Sequence, residues 1–282
     1  MTHRRLTIAL ALTFFALTLP AAAHPDGGPS PGVTLGWDGL VAPGGAVRYV
    51  ALPAGASTTL AVISTRTGRV QNFILVPGHW GVPTVAFDGS TAGLARDGRM
   101  LVLGEQPRGP VLRARSSFAV LSTKLLRLQR VIRLRGDFSF DALSPDARTL
   151  YLIQHISQRD LTQYLVRAYD MKSHALVPQV IADRRSVEKA MAGYPLLRAT
   201  SEDGSWVFTL YRNDGGRPFI HALDAAKRQA VCIDLPWPKA KSQDKLWKLR
   251  FAFSPDRRQL FLAAPHARPA FAIDTRTMRV LR

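Results

Sequence analysis

Two turn motifs recur five times in a fixed order along this 282-residue chain, and they predict an all-β fold. The expected architecture is a β-propeller of about five four-stranded antiparallel blades, with an open or incomplete ring as its variant. The first motif opens at Pro43-Gly44-Gly45, Arg96-Asp97-Gly98, Pro145-Asp146-Ala147, Glu202-Asp203-Gly204 and Pro255-Asp256-Arg257, each followed by an apolar run. Taking Gly44, Asp97, Asp146, Asp203 and Asp256 as equivalent, the steps are 53, 49, 57 and 53 residues, near the period of a four-stranded blade. The second motif follows each first one by 18 to 25 residues, at Ser64, Ser122, Asp170, Asp224 and Asp274.

Each motif has a local physical reason. An Asp at a turn accepts hydrogen bonds from backbone N–H groups two residues on, and Gly after it tolerates positive φ. The runs that follow are β-branched or aromatic and alternate in part, as in Leu150-Tyr151-Leu152 and Leu260-Phe261-Leu262, which favours strands. Each unit therefore reads as a four-stranded meander. A lone meander cannot bury both faces, so the units must stack. Small residues recur just before the first turn, at Gly93, Ala142, Ala199 and Ala252, where inner strands crowd around an axis. The expected units are 40–78, 79–135, 136–183, 194–236 and 247–282. The last contains four strands of its own, so ring closure is expected from side-chain packing and not from a borrowed N-terminal strand.

The ends and the intervals read differently. Arg4 and Arg5, the apolar run Leu6 to Leu19 and the small residues Ala21-Ala22-Ala23 form a secretory signal peptide over residues 1–23, cleaved near Ala23; an uncleaved anchor is the alternative. Residues 24–39 form a flexible leader rich in Pro and Gly. Its His24 could bind copper at a new N-terminus, but Pro25 follows it and no partner His is evident. No later run is long and apolar enough for a transmembrane segment, so an extracytoplasmic or secreted, soluble mature chain is expected. Between units, Arg184 to Gly193 is a candidate short helix, and Trp237 to Trp247 a basic loop.

The chain carries 38 Lys and Arg against 20 Asp and Glu, a formal charge of +18 that falls to +16 without the signal peptide. The basic residues are spread singly, which fits a solvated basic surface with non-specific attraction to polyanions. Outside the cytoplasm these are wall polymers, lipid headgroups and acidic polysaccharides, and no specific nucleic-acid partner is expected. The single cysteine, Cys232, excludes an intramolecular disulfide and reads as a small buried strand residue.

Ser144-Pro145-Asp146 and Ser254-Pro255-Asp256, with Tyr169-Asp170 and Ile273-Asp274-Thr275 later in their units, resemble the repeats of bacterial WD-repeat-like and YVTN-type β-propellers. The resemblance covers about Leu40 to Arg282. It implies a ring of blades around an axial channel and names no activity, because propellers host many unrelated sites. No Gly-His opening or Trp-Asp closing pair recurs from unit to unit as in true WD repeats, and no unit carries the four residues that name the YVTN pattern.

No phosphate-binding Gly loop, nucleophile elbow or cysteine pair is present. His79, His155, His174, His221 and His266 lack metal-ligand spacing, and a satisfied strand or loop histidine is the default for each. No cofactor or metal is expected, and the turn acids read as turn formers, not calcium ligands. The most site-like stretch is the loop carrying Trp237, Lys239, Lys241, Trp247 and Arg250. Aromatic faces beside cations suit sugars, partner proteins or anions; the alternative folds these Trp rings back into a blade junction. His79-Trp80 is a second candidate of the same kind. The expected function is a secreted, non-catalytic binding or scaffold protein whose partner is an extracytoplasmic protein or anionic polymer. The alternative is a propeller-type, lactonase-like hydrolase with its site in the axial channel. Polar side chains from several units converging on one channel mouth would favour the enzyme. A plugged channel with an aromatic–basic rim would favour the binder.

Overall fold

A computed structural model describes residues 32–36, 39–107, 112–183, 185–238 and 242–281. They form five antiparallel sheets, each a blade built from consecutive strands. Blade 1 comprises Leu40–Val41, Val47–Ala54, Ser57–Ser64 and Val70–Pro77; blade 2 comprises Trp80–Pro83, Met100–Glu105, Arg115–Ser122 and Arg127–Arg135. Blade 3 comprises Asp137–Leu143, Thr149–His155, Gln163–Asp170 and Ala175–Ile181; blade 4 comprises Tyr194–Thr200, Trp206–Arg212, Phe219–Asp224 and Gln229–Asp234. Blade 5 comprises Arg250–Phe253, Gln259–Ala263, Phe271–Asp274 and Arg279–Val280. The architecture is an all-β propeller of about five four-stranded blades.

The repeated turns show why this sequence folds so. In three first turns the Ser hydroxyl donates to the Asp two residues on, at Ser144–Asp146, Ser201–Asp203 and Ser254–Asp256. The same Ser oxygen accepts the N–H that opens the next strand, from Thr149, Trp206 and Gln259. In the second turns Asp170, Asp224 and Asp274 each accept two backbone N–H groups. Four residues after each second-turn Ser or Asp the backbone takes positive φ, at Gly68, Leu126, His174, Arg228 and Met278. The recurring acids thus complete backbone hydrogen bonding and leave no free carboxylate pair at the turns.

Blades stack through apolar clusters. One cluster joins blades 1 and 2 around Leu60, Leu101 and Leu103; another joins blades 2 and 3 around Phe118, Phe138 and Leu152. Blades 3 and 4 meet around Tyr151, Tyr164 and Val166, and blades 4 and 5 around Phe208, Leu210, Leu260 and Leu262. The remaining face of blade 1 holds only Val50, Ala61 and Ile63, with Leu52 against them, and no described residue of blade 5 joins that cluster. On the same face Val70, Phe73 and Leu75 are 51%, 59% and 61% exposed. On the matching face of blade 5, Ala252 is exposed and Phe261 half-buried. Expected closure by side-chain packing is therefore not seen among the described residues. The N-terminal strand Val33–Thr34 is not used for closure either; it pairs with Val82 and Pro83 of blade 2.

Two local expectations change. Arg184 to Gly193 is not a helix. The described part from residue 185 turns and bends, and Met191–Ala192 then pairs with Gln163 and Tyr164 of blade 3. Val187 is 97% exposed, so a helix here would have little apolar face to bury. The Trp237–Trp247 loop contains a 3-10 helix, Gln243–Lys248, whose first turn is capped by the Ser242 hydroxyl and whose Leu246 is buried. Among the described residues no helix is long and apolar enough to cross a membrane.

Candidate functional site

The inner strand of blade 2 is interrupted by an excursion. Thr84 and Thr91 bridge its base, and its tip reaches blade 4, where the N–H groups of Phe87 and Asp88 donate to the carbonyls of Pro195 and Leu196 at 2.8 and 3.0 Å. The Phe87 ring lies 6.4 Å from Tyr194 and 6.0 Å from Trp247. This crossing links the inner strands of blades 2 and 4 at the end where the blade 4 inner strand begins. At the other end the inner strands of blades 1 to 4 enclose an open cavity of about 850 Å³. Its wall includes Val41, Gly93, Leu94, Phe140, Asp141 and Arg198. Gly93 is required there: it has φ +116°, and a Cβ would come within 2.4 Å of the Val102 carbonyl oxygen.

The charged floor of this mouth is a pair from two blades. Arg198 donates to Asp141 Oδ1 and to the Asp141 carbonyl, both at 2.6 Å, and to Thr209 Oγ1 at 3.2 Å. Both charged side chains are only 6% exposed. At the rim, Arg96 donates to the Glu202 carbonyl, and the Glu202 carboxylate pairs with Arg257 of blade 5 at 3.3 Å. The mouth thus carries both signs of charge, each engaged with a neighbour.

Arg198 also begins a polar row. Cross-strand register places Arg198, Thr209, His221 and Cys232 side by side on the face of blade 4 that meets blade 3. His221 is 2% exposed and its Nε2 has no hydrogen-bond partner. Burial pushes its pKa down to about 4, despite the opposing pull of Asp141. Burial pushes the Cys232 thiol up to about 12, so it is protonated and a poor nucleophile. Asp183 accepts the Cys232 N–H at 2.8 Å and pairs with Arg185. Burial, the largest single influence, pushes its pKa up, but the hydrogen bonds from the Arg185 side chain and backbone and from the Cys232 N–H together outweigh it and draw the pKa down to about 2. A second cavity of about 680 Å³ opens at this outer end of the row.

The structure disperses the residues singled out from sequence. Trp237 is 7% exposed and belongs to the blade 4/5 cluster. Trp247 is 40% exposed and meets Phe87 near the axis. Arg250 is exposed and donates to the carbonyls of Trp247 and Leu249. Lys239 and Lys241 lie outside the described residues. Trp80 is buried, with its indole N–H on the Pro77 carbonyl at 2.7 Å, and His79 beside it is half-buried. His155, also buried, has its pKa pushed down to about 4 by burial. Sequence reading missed the Asp141–Arg198 pair and the row through His221. The usable signal was the spacing of 11, 12 and 11 residues from Arg198 through Thr209 and His221 to Cys232, one position per strand.

No protein-family model and no curated protein matches the chain. Among solved structures, Kuenenia stuttgartiensis hydrazine synthase is 15% identical, with a TM-score of 0.49 over 91% of this chain and 66% of that one. TolB from Acinetobacter baumannii is 10% identical, with a TM-score of 0.48 over 83% of this chain and 50% of that one. The β-propeller domain of the Trilobed protease from Pyrococcus furiosus is 10% identical, with a TM-score of 0.40 over 83% of this chain and 66% of that one. The chain thus spans half to just under two thirds of the length of these three.

Proposed function

We propose that this chain is an extracytoplasmic, non-catalytic binding propeller that holds its ligand in the axial mouth of blades 1 to 4. The observation that carries this reading is the open cavity of about 850 Å³, backed by a channel crossed at its far end by the 84–91 excursion. Its charged groups already satisfy one another, as in Asp141 with Arg198, so they shape and polarise a pocket without being poised for proton transfer. Arg96, Asp97 and Glu202 give the rim both signs, which suits a peptide segment of a protein partner better than a polyanion. The basic surface elsewhere adds salt-sensitive attraction to anionic polymers. The signal-peptide pattern supports export, and the Ser-Pro-Asp turns support a resemblance of the repeats to WD-repeat-like and YVTN-type propellers.

Peptide display against the full chain tests the reading. Selected peptides should lose binding when Ala92→Trp fills the mouth while melting is unchanged; peptides indifferent to that substitution would overturn it. One observation favours the lactonase-like alternative, the convergence of Asp141 and Arg198 from different blades on one mouth. Turnover in an esterase and lactonase panel that is abolished by Asp141→Asn in a folded protein would put the enzyme in place of the binder.

A further inference from the structure

At its outer end the row between blades 3 and 4 finishes in a pair of sulfurs. Cys232 Sγ lies 3.7 Å from Met191 Sδ. Two sulfurs bound to one ion at about 2.3 Å each, with a tetrahedral angle, are about 3.8 Å apart. Met191 is held in place because its two-residue strand pairs with Gln163 and Tyr164. Directly opposite Cys232 in register, on the same sheet face, is His221, whose buried Nε2 lacks a partner. Leaving such an atom unsatisfied costs about 1–3 kcal/mol. The adjoining cavity of about 680 Å³ reaches both sulfur residues and is walled by the acids Asp183, Glu188 and Asp234 and the bases Arg185 and Arg279. On a chain of formal charge +18, a cavity wall with three acids against two bases is a local excess of negative charge that favours a cation.

We infer that Cys232, Met191 and His221 form a binding site for one soft monovalent metal ion, Cu(I). Thiolate, thioether and imidazole are soft or borderline donors, which select Cu(I) over the hard cations that prefer oxygen. Binding breaks the Cys232 S–H bond, forms an S–Cu bond and releases one proton to solvent. Copper stays in its +1 state, so no oxidant or reductant is needed. Arg185 stands at the entrance, paired with Asp183 at 2.6 Å and bonded to the Cys232 carbonyl. Its side chain is 63% exposed and can swing aside without disturbing the sheets. Among the described residues no three His, Cys, Asp or Glu side chains are grouped to hold a metal; here the Met191 thioether supplies the donor that completes the set.

The test is titration of the full chain with Cu(I) under anaerobic, reducing conditions against the chromophoric chelator bicinchoninate. The expected result is withdrawal of one equivalent from the chelator. Cys232→Ser and Met191→Leu should each weaken binding at least tenfold. His221→Gln should weaken it too and remove the nitrogen scatterer from the copper X-ray absorption spectrum. Failure to compete with the chelator, or unchanged affinity in any folded member of these variants, overturns the site. Copper held instead at His24 would survive Cys232→Ser, which is one such contradicting outcome. Should His221→Gln not fold, the half-buried Met191→Leu still decides.

Discussion

The junction between blades 3 and 4 and the gap between blades 5 and 1 are built from the same repeat, yet they are opposite in kind. The first is sealed, with tyrosines and aliphatics packed around a buried ion pair and a buried histidine. The second leaves Val70, Phe73 and Leu75 of blade 1 exposed, beside a small buried set of Val50, Ala61 and Ile63 that no described residue of blade 5 joins. A repeat supplies a generic apolar face to every blade, but a junction becomes stable only where the neighbour's face is present to meet it. Polar groups are tolerated at the 3/4 junction because Asp141 and Arg198 arrive together.

The largest effect is expected from breaking that pair. Arg198→Ala leaves the Asp141 carboxylate buried without its cation, and should cost about 3–5 kcal/mol. The double replacement Asp141→Leu with Arg198→Met should recover most of the loss, because a packed apolar pair of similar volume is often neutral. Denaturant melts of the three proteins measure this; a double variant as unstable as the single would show that the pair is not the reason for the loss.

Packing provides the next comparison. Phe208 is buried where blades 4 and 5 meet, whereas Phe73 is mostly exposed on the open face of blade 1. Phe208→Ala should cost about 3–5 kcal/mol, and Phe73→Ala no more than about 0.5 kcal/mol. Equal losses would mean that the open face is covered after all.

Acid sharpens the contrast next. His155 and His221 both have folded pKa values pushed down to about 4 by burial, from an ordinary 6.5. Between these values the unfolded chain binds more protons, so stability falls as pH drops from 6.5 towards 4. The loss is on the order of 3 kcal/mol per histidine by pH 4. His221→Gln should remove about half of the slope in melts across this window, and an unaltered slope would contradict a neutral, buried His221. Further acidification, from about 3.8 to about 2, removes the contribution of Asp183 as its depressed carboxyl is protonated.

The smallest effect concerns a turn. Arg257 sits at φ +60°, where the equivalent Gly98 and Gly204 pay no Cβ penalty. Positive φ costs an L-residue about 1–2 kcal/mol, part of which Gly returns through its freer unfolded chain. Arg257→Gly should therefore gain about 0.5 kcal/mol, and a loss would show that the Arg257–Glu202 pair contributes more than the strain.

These comparisons also separate what the sequence shows from what it hides. The Asp and Ser turns were legible because each acts on backbone within five residues of itself, so local spacing carries the whole signal. The meanders followed from them. The crossing at residues 84–91 was not legible, since its partners Pro195 and Leu196 lie more than a hundred residues away and bond through backbone that any residue supplies. Trp237 beside cations reads equally well as a rim or a plug, and only the stacking of blades 4 and 5 places it inside. Asp141 and Arg198 are one acid and one base among 58 charged residues, and nothing local marks them as partners. The histidine row needed register across four strands, which a one-residue bulge anywhere would shift.

The central claim is that, among the described residues, four blade junctions are sealed by apolar clusters and the one between blades 5 and 1 is not, and hydrogen exchange resolved by strand tests it most directly. The outer strand Val70–Pro77 of blade 1 and the strands of blade 5 should exchange through local opening, well before Trp206–Arg212 and Phe219–Asp224 of blade 4, which should exchange near the global limit. Protection of Val70–Pro77 equal to that of blade 4 would contradict the open junction.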